Sequence, residues 1–326
     1  MTTCTVEIGG KVAASFDCAG GLTLLDAASS AGWELPHSCR RGSCESCRVT
    51  VLEGQTIPAA QGGTVLLCQV RADSDLRIAA NRIEPVQKGE RRKVQARLFR
   101  KRLVADDVCI VDLRFPAGVR IPFKAGQYLH VLMEGEQPRS FSMANSPKAN
   151  DGAQLQVRVL PGSIFGERIL ATMQAGQTVE LELPFGDFYL REGALPVVLV
   201  AGGTGFAPIQ SLLEEALPKY PDRSFTLYWG ARHENGLYAM EQIQKWQRRH
   251  ANFHFVGTVS DGPPPAGCRS GLVHEAVLAD HANLTDHQAY VCGAPLMVSA
   301  CREAFIQTKG LPAANFFADA FVSVNS

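Results

Sequence analysis

The chain has no basic segment followed by an unbroken apolar run at its start, "MTTCTVEIGGKVAASF", and no apolar stretch of membrane-spanning length. Those two absences predict a soluble cytoplasmic protein with no export signal and no membrane partner. It also lacks an excess of charge of either sign: 32 Lys and Arg balance 32 Asp and Glu. A polyanionic partner spread over the whole surface is therefore disfavoured, and no nucleic-acid binding is expected. With 46% hydrophobic and 20% charged residues in 326, the chain has the make-up of a globular protein long enough for two or three domains.

Cysteine is not scarce. There are ten, and three of them fall within nine residues, in Cys39-Arg-Arg-Gly-Ser-Cys44-Glu-Ser-Cys47, with a fourth at Cys68 after twenty intervening residues. Crowding on this scale in a chain without an export signal points to a reducing compartment and a metal site rather than to disulfides. Structural zinc draws its thiols in paired C-x2-C knuckles, whereas C-x4-C-x2-C with a distant fourth thiol is the plant-type [2Fe–2S] order. Zinc stays open as the alternative and would leave the chain without a one-electron carrier. Gly42, Ser43 and Ser46 are small enough to let backbone N–H groups approach bridging sulfides, where hydrogen bonds favour the reduced cluster. Cysteines 4, 18, 109, 268, 292 and 301 are scattered and read mostly as buried small hydrophobes.

The rhythm of the chain changes twice. Up to about residue 86, "TCTVEIG" and "KVAASFD" resemble a hairpin turning at Gly9-Gly10, Thr23 is placed to cap a short helix through "LLDAASSAG", and "SCRVTVLEG" and "LRIAA" supply later strands. The sulfur cluster then falls in loop between helix and strand. "PVQKGERRKVQARLFRKR" is strongly basic and reads as a linker leading into the first strand of a new domain, its charge either a solvated connection and strand face or a docking surface for an acidic redox partner. From about 93 to 190 short strands follow one another between Gly, Pro and Asp turns, with "IFGERIL" the one helical interruption, which predicts an antiparallel barrel. From about 191 the order becomes strand, helix, strand, and "LPVVLVAG" is apolar enough for a parallel strand covered on both faces.

Two stretches are candidates for ligand contact. "VLVAGGTGFAPIQSLLEE" joins an apolar strand to a helix through Gly202, Gly203 and Gly205, whose missing side chains would let backbone approach a phosphate at the helix N-terminus. By itself such a turn is a weak sign. In "PRSFSMAN", strand alternation puts Arg139 and Phe141 on one face, where a guanidinium could pair with pyrophosphate and a ring could lie against a flat cofactor, with Ser142 beside them. A core aromatic with a surface arginine is the plainer reading of the same residues.

Taken together, "PHSCRRGSCESCRV", "LLCQV", "PFKAGQYLHV", "RSFSMAN", "LPFGDFYL", "VVLVAGGTGFAPI", "YWGAR", "YVCGAPLMV" and "ADAF" occur in an order that spans essentially the whole chain. The first part resembles a plant-type ferredoxin and the rest resembles the ferredoxin–NADP reductase superfamily. Their fusion is similar to the reductase components of bacterial aromatic-ring-hydroxylating dioxygenases and related monooxygenases, naphthalene dioxygenase reductases among them. The resemblance implies a multidomain α+β, β and α/β fold: a β-grasp ferredoxin domain at 1–86, an antiparallel β-barrel flavin domain at 93–190 and a Rossmann-like nucleotide domain at 191–326.

It also implies site residues. Cys39, Cys44, Cys47 and Cys68 would hold the [2Fe–2S] cluster. Arg139, Phe141 and Ser142 match the flavin motif, with Phe where Tyr is usual. Val159, Gly162, Ser163 and Phe165 match the segment receiving the flavin phosphates, although Gly166 stands where Ser or Thr is common, and Gly186 lies in a turn near the flavin. Gly203, Thr204, Gly205 and Pro208 match the nicotinamide-dinucleotide loop. Cys292, Gly293 and Pro295 match the run beside the hydride-transfer position, and Asp319 with Phe321 the segment near the flavin ring. Of these, Ser142, Cys292, Asp319 and Phe321 would stand closest to the chemistry, although Cys292 read without the family is a buried core residue. Arg232 is not part of a dense Ser/Arg/Lys patch, which implies NADH over NADPH. An N-terminal ferredoxin segment implies FAD, since relatives of the phthalate dioxygenase reductase type that use FMN carry it C-terminally. Cys68 follows Cys47 at a shorter distance than the family commonly shows, which implies a trimmed loop. The implied function is to pass electrons from NADH through FAD and [2Fe–2S] to a terminal aromatic-ring oxygenase or an intermediate ferredoxin. A diiron monooxygenase or a deoxysugar dehydratase is an alternative recipient, and a redox-inactive metal-bound interaction protein the alternative of another class.

Overall fold

The computed structural model describes residues 2–37, 40–42, 45–86, 91–159, 162, 165–166 and 170–321, which form three main sheets. In the first, strands Thr2–Ile8 and Lys11–Cys18 make the expected hairpin. Gly9 and Gly10 turn it with φ of +58° and +78°, the left-handed pair that a two-residue hairpin loop requires. Helix Leu24–Ser30 starts at Thr23, whose hydroxyl accepts from Asp26 N at 3.1 Å. Its Leu24, Leu25, Ala27 and Ala28 are buried with Cys4, Val6 and Ile78 of the sheet. The strand order is Lys11–Cys18, Thr2–Ile8, Leu76–Ala79, Arg48–Glu53, Thr64–Leu66, with the second and third parallel, which is the β-grasp arrangement of one helix across a mixed sheet.

The basic stretch leads into the first strand of the second sheet, as expected. Strand Arg92–Ala105 takes up most of it, so only the few residues before Arg92 connect the two sheets. Val94, Ala96 and Leu98 point inward and cations alternate with them on the solvent face, which is the period-two pattern of a half-buried strand. Arg100 pairs with Asp112 at 2.8 Å and Lys101 Nζ donates to Leu170 O at 2.7 Å, so two of these cations are occupied by the barrel itself. All neighbours in this six-stranded sheet are antiparallel. Beyond the edge strand Arg139–Ser142, Ala144 N donates to Gln154 O at 2.8 Å, tying it to Gly152–Arg158 at the opposite edge and curling the sheet into a barrel. Of the "IFGERIL" stretch, 165–166 and 170 are helical, and 164 and 167–169 lie outside the described residues.

The third sheet is parallel throughout, in the order Arg269–Ser270, Phe253–Val259, Phe225–Ala231, Val197–Gly202, Gln288–Gly293, Phe316–Ala320. Val197, Leu199 and Ala201 pack into one apolar cluster while Val198 and Val200 pack into another, so the central strand is covered on both faces as its sequence predicts. Each fully buried side chain of this kind contributes roughly 1.5–3 kcal/mol. Because the chain winds outward on both sides of Val197–Gly202, a crevice opens at the carboxyl ends of that strand and Gln288–Gly293. Among the described residues, no helix is long and apolar enough to cross a membrane.

Candidate redox site

The sulfur loop follows from backbone conformation. Arg40, Gly42 and Glu45 have φ of +54°, +78° and +56°, three left-handed residues within six positions that turn the chain sharply. Cys47 and Cys68 are buried and their Sγ atoms stand 3.3 Å apart. That is too far for a disulfide and about 0.5 Å shorter than the ~3.8 Å between two thiolates on one tetrahedral metal ion with about 2.3 Å ligand bonds, so a small outward shift would let both bind one iron. Cys39 and Cys44 lie outside the described residues. Gln69, which sequence reasoning missed, ties the two halves together: its Nε2 donates to Cys68 O at 2.9 Å, Cys68 Sγ at 3.3 Å and Arg40 O at 3.4 Å. Crowding at Gly42 falls on this side chain, since an added Cβ would stand 3.1 Å from Gln69 Cγ. The buried thiol pair and left-handed wrap fit a [2Fe–2S] cluster held by this loop.

On the barrel, Arg139 and Phe141 share one half-buried face of strand Arg139–Ser142, and Ser142 is buried on the other. Arg139 Nη1 is buried with no hydrogen-bond partner. A buried cationic donor left without an acceptor is costly, and a pyrophosphate oxygen is the acceptor that would satisfy it, so the site fits the flavin nucleotide. Phe141 packs against Phe165 with ring centroids 4.8 Å apart, which makes Phe165 a core residue supporting Phe141. Val159 likewise packs on the barrel core, its N donating to Asp107 O at 2.7 Å. Gly162 is exposed with φ +77°, and Ser163 lies outside the described residues.

Tyr128 was not legible as a site residue. It pairs with Ser142 across the strands, and an added Cβ on Gly186 would stand 2.8 Å from its ring, so Gly186 is where the turn grips Tyr128. Burial first, and then the negative charge of Asp319, push the Tyr128 phenol up to about 12, while Arg40 of the sulfur loop acts in the opposite sense. One ring thus feels the barrel motif, the sulfur loop and the C-terminal strand together. The three sheets converge there.

In the crevice, the glycine turn forms a short 3-10 segment, Gly203–Gly205, that leads into helix Phe206–Lys219 with Pro208 in its first turn. The expected reason for the glycines was ligand approach. The structure adds another: an added Cβ would stand 2.2 Å from Cys292 O at Gly205, 2.6 Å from Met297 Sδ at Gly202 and 2.6 Å from Arg158 Nη2 at Gly203. Only glycine lets this loop seat against the end of Gln288–Gly293. Arg158, a second residue missed in the sequence, reaches Gly203 from the barrel while its Nε pairs with Asp107 at 3.3 Å.

Cys292 is completely buried and lies in register with Asp319 on the next strand. Burial, and then Asp319, raise its thiol well above the ordinary value, so it stays neutral and is no nucleophile. Phe321 N donates to Gly293 O at 2.9 Å, closing the crevice wall, and Pro295 opens the following helix. Arg232 is exposed just past the strand Phe225–Ala231, apart from the buried group around Cys292. Thr204 lies within the turn, half-buried.

A flavin barrel and a dinucleotide crevice meeting beside a sulfur loop define an oxidoreductase that exchanges hydride and single electrons. Comparison with known proteins agrees in every part. Residues 3–73 match the model of the 2Fe-2S iron-sulfur cluster binding domain, 95–189 that of the oxidoreductase FAD-binding domain and 199–303 that of the oxidoreductase NAD-binding domain. The reductase component 2 of terephthalate 1,2-dioxygenase from Comamonas sp. is 40% identical over 321 residues, covering 95% of each chain. The CDP-6-deoxy-L-threo-D-glycero-4-hexulose-3-dehydrase reductase of Yersinia pseudotuberculosis is 33% identical and covers 94% of this chain and 95% of its own. A cytochrome P450 reductase from Amycolatopsis superposes with a TM-score of 0.73 at 30% identity, over 98% of this chain and 99% of that one. The chain belongs to the family of NAD-linked flavin reductases that carry their own plant-type [2Fe–2S] domain.

Proposed function

We propose that this protein is the NADH-dependent reductase component of an aromatic-ring oxygenase system, working in the cytoplasm and delivering electrons to the terminal oxygenase or to an intermediate ferredoxin. The observation that carries this reading is the end-to-end likeness to the terephthalate dioxygenase reductase component, 40% identical over 95% of both chains. The domain boundaries we propose are 1–86, 93–190 and 191–326.

The bound groups supply hydride transfer from NADH to FAD and one-electron passage on to the [2Fe–2S] cluster. The side chains bind and orient. Arg139 would offer its buried Nη1 to the flavin pyrophosphate, and Phe141, on the same strand face, would lie against the flat ring, with Ser142 next to it along the strand. The turn 202–205 would present backbone to the dinucleotide, and half-buried Asp319 stands at the place where the nicotinamide would meet the flavin, with neutral Cys292 buried behind it on the neighbouring strand. No side chain needs to act as base or nucleophile. Glu234, exposed two residues beyond Arg232, disfavours a 2′-phosphate at the end of Phe225–Ala231, which supports NADH.

Cofactor extraction tests the core of this reading: about two irons and one FAD per chain are expected, with visible absorption that bleaches on NADH. Product formation by a separately purified aromatic-ring oxygenase, supplied with NADH and this protein, tests the recipient. A second reading, the reductase of a deoxysugar dehydratase, is favoured by the Yersinia relative. It predicts electron delivery to that dehydratase and none to an aromatic oxygenase.

A further inference from the structure

Between the three sheets lies a group of charges that no cofactor role uses. Arg82 stands just after the last strand of the β-grasp sheet, and its Nη2 donates to Asp187 of the barrel. Arg191, past the barrel, sits 3.7 Å from both Glu84 and Asp187. Its guanidinium lies 3.7 Å from the centroid of Tyr189 and 5.3 Å from that of Phe317, and Arg82 lies 5.5 Å over Phe317. Phe317 in turn stacks on Tyr290 at 4.7 Å, deep in the nucleotide sheet. The side chains of Arg82, Asp187 and Arg191 are only 17%, 11% and 14% exposed, so their charges attract through a medium less screened than water. A cavity of about 30 Å³ at the same junction is lined by Ser46, Arg82, Asp187, Arg302 and Phe317, which come from all three sheets.

The anchors of Arg82 stand beside site residues. Asp187 directly follows Gly186, the residue whose turn grips Tyr128, and Phe317 shares a face of its strand with Asp319. Arg82 therefore links the sulfur-bearing sheet to residues next to both walls of the flavin place. We propose that Arg82, clamped by Asp187 and Phe317, is the positioning residue that holds the ferredoxin domain in the orientation in which electrons pass from flavin to cluster. This rests on the cofactor order given above. The clamp acts on the second transfer alone, because hydride transfer involves the barrel and the nucleotide sheet, which are joined separately by Ser211 Oγ donating to Asn145 O at 2.7 Å and by Gln156 Nε2 donating to Gln210 Oε1 at 2.7 Å.

The test uses the full-length holoenzyme and its Arg82→Met variant, with Asp187→Asn as an independent disruption and the exchanged pair Arg82→Asp with Asp187→Arg as rescue. Stopped-flow spectra at the flavin and cluster bands separate the two transfers, and small-angle X-ray scattering reports domain spread. Expected for either single variant is flavin reduction by NADH within about twofold of wild type. Cluster reduction should be slowed about tenfold, in proportion to the lost docked population, with a larger radius of gyration. The exchanged pair should recover part of the rate. Unchanged cluster reduction in both single variants, or slowing with an unchanged radius, overturns the proposal. Absence of flavin and iron in the wild-type preparation would instead refute the underlying function, and the scattering comparison would still decide whether Arg82 holds the domains together.

Discussion

Gly42 in the sulfur loop and Gly205 in the dinucleotide turn are both glycines in ligand-facing loops, and they are glycine for opposite reasons. Gly42 has φ +78° and the nearest atom to an added Cβ is Gln69 Cγ at 3.1 Å, part of a side chain rather than backbone. It is required by conformation. Gly205 has an ordinary helical backbone, φ −59°, but an added Cβ would stand 2.2 Å from the carbonyl oxygen of Cys292. It is required by exclusion, imposed by a strand 87 residues later in the chain. The sulfur loop is thus shaped largely by its own residues, and the glycine turn by what packs behind it.

The strongest way to probe the contrast is to remove a ligand from the loop that shapes itself. Cys68→Ser should abolish the cluster, with iron content and its visible band lost, while the flavin band remains and still bleaches with NADH. Retention of both irons in that variant would break the assignment of the sulfur loop.

Gly205→Ala should be the next most damaging change. Overpacking against backbone costs about 1–3 kcal/mol, because the Cys292 carbonyl cannot rotate away as a side chain would. A lowered melting temperature together with a raised KM for NADH is expected, with the cluster spectrum unaltered. If melting is unchanged, exclusion is not what keeps this position glycine.

Gly42→Ala sharpens the comparison from the other side. A left-handed alanine costs about 1–2 kcal/mol, and Gln69 can yield to the new methyl group. Thermal stability should fall modestly while iron is retained and NADH kinetics stay as they were.

The smallest effect belongs to Cys292→Ala. Because burial and Asp319 raise the thiol well above its ordinary value, it is neutral both in the folded protein and, below its usual range, in the unfolded chain. No stability is gained or lost through its ionisation until pH rises to the unfolded value of about 8.5, above which the unfolded chain releases a proton that the folded one keeps. Between pH 6 and 8 the variant should keep the wild-type shape of the pH–rate profile, with a slightly reduced rate reflecting lost packing beneath the crevice wall. A titration step that disappears with the cysteine would show an ionising role.

Much of this was legible along the chain. The Gly9-Gly10 hairpin and the Thr23 cap were readable because their determinants lie within a few residues of one another. The doubly covered strand Val197–Gly202 announced itself by an unbroken apolar run. The basic stretch was legible as an entry into a strand, and the inward residues Val94, Ala96 and Leu98 leave its charges on the solvent face. Tyr128, Gln69, Arg158 and Arg82 were missed for one reason: each acquires its role from partners brought near by folding, and none carries a local pattern that marks it.

What the sequence alone determined is the sulfur order and the strand and helix rhythm of three parts, because thiol spacing and strand period are short-range properties of the chain. The flavin and nicotinamide places and their order came from resemblance to a family. Tertiary structure decided where those parts face one another: the convergence on Tyr128, the exclusion at Gly205 and the charges around Arg82. Contacts of that kind depend on which distant surfaces meet, and close packing and electrostatics act between neighbours in space whatever their separation along the backbone.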